Sequence, residues 1–242
     1  MRLDALFVKL NLGSRKEAKD AINKGLLTVD GNVIKKSDFK VDEDNAIISY
    51  KGREYKYREF YYFAFNKPEG CISATADNKD ITVMDVFKER YLENNSDLSG
   101  LPFNDLFPVG RLDKDTHGLL IITNDGDLAH RSLSPKYHVN KTYYLKIAKM
   151  LSENDIFTLE NGTDIGEGII TEKAEVKYTI DSPLECYLTI HEGKFHQVKR
   201  MLTSVGNEVT FLKRISFGDI ALGDLLEGDY RELTNEEIKS LK

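Results

Sequence analysis

The chain has 242 residues, 40% of them hydrophobic and including twelve Phe and twelve Tyr, which supports a globular core and excludes a disordered protein. Its two cysteines, Cys71 and Cys186, stand far apart in no metal-ligand spacing, so neither a disulfide framework nor a zinc site is expected and a reducing compartment is. The net charge of −6 is uneven: residues 1–58 hold thirteen Lys and Arg against nine Asp and Glu while the remainder is acidic, so a polyanionic partner would have to meet local basic surfaces.

The opening MRLDALFVKLNLG is too polar for a signal peptide and no apolar run reaches membrane-spanning length, so a cytoplasmic protein is expected. Leu3, Leu6, Phe7 and Leu10 repeat at helical spacing and stop at Gly13. Ser14-Arg-Lys-Glu17 is a capping box that opens a second helix through Ala18, Ala21 and Ile22, ending near Gly25. Leu27-Thr-Val29 and Val33-Ile34 flank Asp30-Gly31 as a hairpin, and the charged stretch Tyr50–Glu59 reads as a linker. Arg15, Lys16, Lys19, Lys35 and Lys36 fall on polar surfaces of this first module.

Tyr61-Tyr-Phe-Ala-Phe65 predicts a strand ending at Asn66-Lys67-Pro68, and polar residues 91–106 predict a surface insertion. Leu119–Thr123 is an apolar and β-branched run bounded by turn signals, hence a buried strand. Lys141–Ile147 alternates as a strand, and Thr171–Ile180 and Glu185–His191 form a strand pair. Val198, Met201, Leu202 and Val205 mark a helix after Gly193, closed by Gly206, and Thr234-Asn-Glu-Glu237 caps a short last one. Many strands with few helices imply an α+β fold on a mixed or antiparallel sheet.

Three separated stretches carry a resemblance. Gly110–Gly126, GRLDKDTHGLLIITNDG, resembles the signature of RNA pseudouridine synthases; NKPEG after a strand, Lys141-Thr-Tyr143 and EGKFHQVKRM (residues 192–201) match other features of that family. Residues 1–45 resemble an S4 RNA-binding domain. The resemblance implies two domains, an S4-like domain with its linker over residues 1–58 and a catalytic domain over 59–242. In full-length order the chain is similar to the branch that acts on small-subunit ribosomal RNA. It implies isomerisation of one uridine in 16S ribosomal RNA, expected at uridine 516, with no cofactor. Asp113, Asp115 and His117 lack a metal-ligand pattern, so no metal is expected, and the enzyme is expected to be a monomer. The sibling readings are a synthase for 23S ribosomal RNA, which shares these motifs, and a catalytically silent RNA-binding or assembly factor.

By the same resemblance Asp113 is the catalytic carboxylate, Tyr143 stacks on the target base, and Lys199 is the cation that pairs with the carboxylate. Arg111 helps to hold the flipped nucleotide, Arg15, Lys16, Lys19 and Lys35 contact phosphates, and Arg200 adds to the basic cluster near Lys194. The chemistry explains the residue types. Pseudouridine formation breaks the C1′–N1 bond, turns the uracil and rejoins it through C5, so the site needs an ionised carboxylate at the sugar and a slot that retains the base. Asp113 could attack C1′ or take the C2′ proton; both remain open. A nearby cation favours the charged carboxylate against burial.

Overall fold

Apolar runs and capping boxes set most element boundaries. In the computed structural model, which describes residues 1–241 except the side chain of Pro135, the chain divides into two units. The first comprises Met1–Tyr61 with Tyr91–Leu106, the second residues 62–90 with those from 107 onward.

In the first unit α1 (Leu3–Lys9) and α2 (Arg15–Asn23) precede β1 (Leu27–Val29), β2 (Asn32–Val33), β3 (Ile47–Tyr50) and β4 (Arg53–Lys56), in sheet order β2-β1-β3-β4. Ser14 and Glu17 make both capping-box bonds at the start of α2. Leu3, Leu6, Phe7 and Leu10 are fully buried with Ile22, Leu27 and Ile48, each such side chain contributing about 1.5–3 kcal/mol of apolar burial.

Two expectations change here. The stretch from Tyr50 is not a linker throughout: β4 pairs with β3 across Lys51-Gly52, both at positive φ (52° and 77°), the backbone of a two-residue hairpin turn. Its polarity is that of an edge strand, while Tyr50, Tyr55 and Tyr57 pack on the core. Residues 91–106, expected as an insertion on the catalytic domain, belong with the first unit. Gly100 N–H donates to Leu10 O at 2.7 Å, Tyr61 OH donates to Gly100 O at 2.6 Å, Arg53 pairs with Asp97 at 2.6 Å, and Leu101 is buried.

The second unit is built on β5 (Tyr62–Lys67), β6 (Phe107–Val109), β7 (His117–Thr123), β8 (Lys141–Ile147), β9 (Glu175–Tyr178), β10 (Glu185–Ile190), β11 (Val209–Phe217), β12 (Ile220–Ala221) and β13 (Tyr230–Glu232). The order is β13-β5-β7-β11-β8-β10-β9, with β12 on β11 and β6 on β7; β7–β11 is a parallel pair and the rest are antiparallel, which makes the sheet mixed. The helices are α3 (Val83–Asn94), of which the residues up to Arg90 belong to this unit, α4 (Gly126–Leu133), α5 (Glu153–Asn161), α6 (Gln197–Ser204) and α7 (Asn235–Ser240). Of these, α3, α4 and α5 escaped the periodicity reading. The α4 start was legible as a turn only, because Asp125 serves as its N-cap, accepting from Leu128 N–H at 2.9 Å. In β7 only His117 is not buried, so the loop before it leads straight into the core.

Candidate active site

The loop Gly110–Thr116 is held from three sides. Ser73 Oγ donates to Leu112 O at 2.9 Å and accepts from Leu112 N–H at 3.0 Å. Gly70 N–H donates to Lys114 O at 2.8 Å. Lys67, fully buried at the end of β5, donates from Nζ to Pro68 O at 2.9 Å, Thr116 O at 2.9 Å and Lys114 O at 3.3 Å. Burial pushes this ammonium's pKa below the ordinary lysine value. The Asn-Lys-Pro-Glu-Gly segment is thus the clamp that fixes the loop carrying Asp113.

Beyond the loop, Gly118 allows β7 and β11 to meet. Its φ is +104°, and a Cβ there would stand 2.2 Å from the Arg214 carbonyl oxygen. A side chain at this position would force apart the parallel pair whose strands carry one side of the site.

On the other side, Glu192–Gln197 forms a tight loop ahead of α6. Buried Gln197 accepts Lys194 N–H at 2.8 Å and donates to Glu192 at 2.8 Å; Glu192 also accepts Glu172 N–H at 2.9 Å and pairs with Lys194. His196, in the left-handed region at φ 47°, starts the helix, and Lys199 projects one turn further on.

These elements bring Asp113 and Lys199 together. Lys199 Nζ lies 3.2 Å from Asp113 Oδ2 and 2.5 Å from Asp115 Oδ1, and His196 Nε2 lies 3.5 Å from Asp113 Oδ1. Asp113 and Lys199 retain 28% and 26% side-chain exposure, so the pair is reachable but partly shielded. Burial pulls the Lys199 pKa down, but Asp115 and Asp113 more than reverse it, leaving it above the ordinary lysine value. The Lys199 hydrogen bond holds the Asp115 carboxyl below the usual carboxylate range, against its burial.

Around the pair lies a cleft of about 600 Å³ lined by Arg111, Asp113, Tyr143, Lys199, Lys141 and Arg214 among others. Tyr143 is buried on β8, opposite Leu188 on β10 and Arg214 on β11. Exposed Arg111 lines the same cleft beside Asp113. Arg200 does not line it. Its guanidinium donates to Ile165 O at 2.8 Å, Phe195 O at 3.2 Å and Gly166 O at 3.3 Å, so the site expected to bind substrate is committed to holding backbone. Arg15, Lys16, Lys19 and Lys35 are exposed on the first unit.

Sequence reading missed Asp115 as a second partner of Lys199, Lys67 as the clamp, and the buried cations Lys141 and Arg214. A signal was present for the last: in β11 Leu212 and Arg214 occupy alternate buried positions, so a charge falls in register with inward apolar residues. Lys67 similarly ends a strand that is buried at every position.

Residues 61–204 match the family model for RNA pseudouridylate synthase and residues 1–47 that for the S4 domain. The chain is 45% identical, over its full length and 98% of the relative, to an uncharacterized RNA pseudouridine synthase of Bacillus subtilis, YtzG. It is 37% identical, over its full length and 99% of the relative, to ribosomal small subunit pseudouridine synthase A of Vibrio cholerae. Ribosomal large subunit pseudouridine synthase B of Bacillus subtilis matches at 35% identity, over the full chain and 95% of the relative. A solved structure described as a pseudouridylate synthase superposes with a TM-score of 0.67 at 32% identity, each chain covered completely. With that fold, two family models that between them span most of the chain, and relatives matched from end to end, the chain belongs to the RNA pseudouridine synthases that carry an N-terminal S4 domain.

Proposed function

We propose that this chain isomerises one uridine of 16S ribosomal RNA, expected at uridine 516, with Asp113 as the group that acts on the ribose. The observation that carries the reading is the meeting in one cleft of Asp113, Tyr143 and Lys199, drawn from three distant stretches of the chain. Asp113 must be ionised either to attack C1′ or to take the C2′ proton. A cation at the separation of Lys199 is worth on the order of 4 kcal/mol to that charge at an effective dielectric of about 20, before desolvation is subtracted. Tyr143 offers a ring face to a uracil that has left its stack, a step that costs a few kcal/mol, and Arg111 steadies the extruded nucleotide at the rim. Arg15, Lys16, Lys19 and Lys35 supply phosphate contacts, which orient the RNA without reading its sequence. Arg200 serves by fixing the loop before α6.

The 16S assignment draws on the small-subunit relative, 37% identical across the whole chain. The large-subunit relative, at 35%, supports a second reading in which the target lies in 23S ribosomal RNA. Mapping pseudouridines in ribosomal RNA from cells with and without the gene separates the two, because one modified position should disappear from one RNA. For the site, Asp113→Asn should retain RNA binding and lose pseudouridine formation by at least about a thousandfold, equivalent to roughly 4 kcal/mol of barrier. Turnover within tenfold of the parent would remove Asp113 from the chemistry.

A further inference from the structure

The floor of the cleft holds two cations with no carboxylate in direct contact among the described residues. Lys141 is 7% exposed and Arg214 2% exposed, and both line the cleft together with Asp113 and Tyr143. Among the described residues no carboxylate lies within 4 Å of either; Lys141 Nζ donates to Val139 O at 2.8 Å, and Arg214 Nε donates to Leu119 O at 2.7 Å. Arg214 Nη2 is buried with no hydrogen-bond partner. Both head groups converge on the Phe217 ring, 5.4 and 5.3 Å from its centroid, a contact that lessens but does not neutralise their charge. Burial, reinforced by Arg214 and only partly offset by the more distant Glu172 and Glu192 carboxylates, pulls the Lys141 ammonium down to about 8. Two such groups lining one cleft are costly unless something negative comes near them.

Strand geometry says what that occupant is. Lys141 and Tyr143 are two residues apart on β8 and so share a face, and Arg214 is the direct cross-strand neighbour of Tyr143. A ring stacked on Tyr143 therefore has both cations beside it. A nucleotide entering base first carries its pyrimidine to this depth, whereas its phosphates stay with the backbone at the mouth.

We propose that Lys141 and Arg214 form an anion seat that holds the uracil ring, as its N1 anion, between glycosidic cleavage and rejoining through C5. The inference rests on the preceding reading of Asp113 and Tyr143. When C1′–N1 breaks, the bonding pair leaves on N1 and spreads onto the flanking carbonyl oxygens. The sugar is satisfied either by a bond from the Asp113 carboxylate to C1′ or by loss of the C2′ proton to that carboxylate, giving a C1′–C2′ double bond. The free base, negative and no longer tethered, is held by the two cations while it turns. C5 then bonds to C1′ as the carboxylate bond breaks or the proton returns to C2′, and the C5 proton leaves while N1 takes one up. Atoms and charge balance, and no co-reactant is required.

The test compares Lys141→Met, Lys141→Arg, Arg214→Met and Arg214→Lys with the parent by single-turnover pseudouridine formation, RNA affinity and release of free uracil from base-labelled RNA. Each Met variant is expected to slow single turnover by about 100-fold, as for removal of one preorganised donor to a developing anion, with affinity within about twofold. The charge-preserving variants should recover at least a tenth of the parent rate, and the Met variants should release more uracil per pseudouridine formed. Met variants within about threefold of the parent rate, or slow variants that charge does not rescue, would overturn the seat. Weakened RNA affinity with a shallower salt dependence and an unchanged rate would also overturn it, by assigning the cations to phosphate. Should Arg214→Met fail to fold, the Lys141 pair carries the same comparison. An inactive Asp113→Asn beside a fully active Lys141→Met refutes the seat and leaves the preceding reading standing; an active Asp113→Asn brings down that reading itself.

Discussion

The cations of the first unit and those of the cleft illustrate two uses of the same charge. Arg15, Lys16, Lys19 and Lys35 stand in solvent, with no carboxylate within 4 Å among the described residues, where salt screens them and small displacements cost little. Lys67, Lys141 and Arg214 are buried and Lys199 partly so, each bound to carbonyls or carboxylates at defined distances. Exposed charge attracts a polyanion and sets affinity; buried charge fixes geometry and acts at short range. The overall acidity of the chain is compatible with an RNA substrate for this reason, because neither use depends on net charge.

Substitutions can break or sharpen that contrast. The largest effect is expected from Lys199→Met, which strips Asp113 of its 3.2 Å partner. Single-turnover pseudouridine formation should fall by roughly 100- to 1000-fold with RNA affinity unchanged; lost affinity at an intact rate would move Lys199 into the docking class. Next is Lys67→Met. It takes one donor from each of three backbone carbonyls, those of Pro68, Lys114 and Thr116, but also removes a costly buried ammonium, so a net loss of about 2 kcal/mol is expected. In a chain of this size that appears as a melting point lower by roughly 5 °C, together with a slower rate as the Asp113 loop relaxes. An unchanged melting point would mean that the clamp contributes nothing to the fold.

Replacing Arg15, Lys16, Lys19 and Lys35 together by Gln should do the reverse. RNA affinity should drop and its log–log salt slope flatten by up to about 3, while the rate at saturating enzyme stays put. A slower rate at saturation would show that the first unit does more than dock. The smallest effect belongs to Asp115→Asn, since this carboxylate is largely exposed and its tie to Lys199 is screened. A rate within about threefold of the parent is expected at neutral pH. Because Lys199 holds the Asp115 carboxyl below its ordinary range, that group favours the fold at neutral pH and loses its contribution as pH falls through its titration. Thermal unfolding followed from neutral to acid pH should therefore show a slightly shallower acid loss in the Asn variant, and a steeper one would contradict the assigned pairing.

Sequence alone carried local information well. Capping boxes at Ser14 and Thr234 set helix starts, and the apolar run before Asn124 set a buried strand, because hydrogen bonds within four residues and apolar patterning are written directly in the chain. Three separated family motifs also singled out Asp113, Tyr143 and Lys199. Where the pattern was polar, as in β4, or weakly periodic, as in α3 and α5, the elements were lost, although Thr82 with Asp85 and Ser152 with Asp155 cap the starts of those two helices.

What only the three-dimensional arrangement decided was which charges meet. Lys199 is shared between Asp113 and Asp115, Arg200 is turned away onto backbone carbonyls, and Lys141 and Arg214 are brought beside Tyr143. A one-dimensional pattern tells an inward residue from an outward one, but strand order and register choose its neighbours. The β7–β11 contact through Gly118 and the β8–β11 register are long-range pairings, and through them the sheet assembles the cleft.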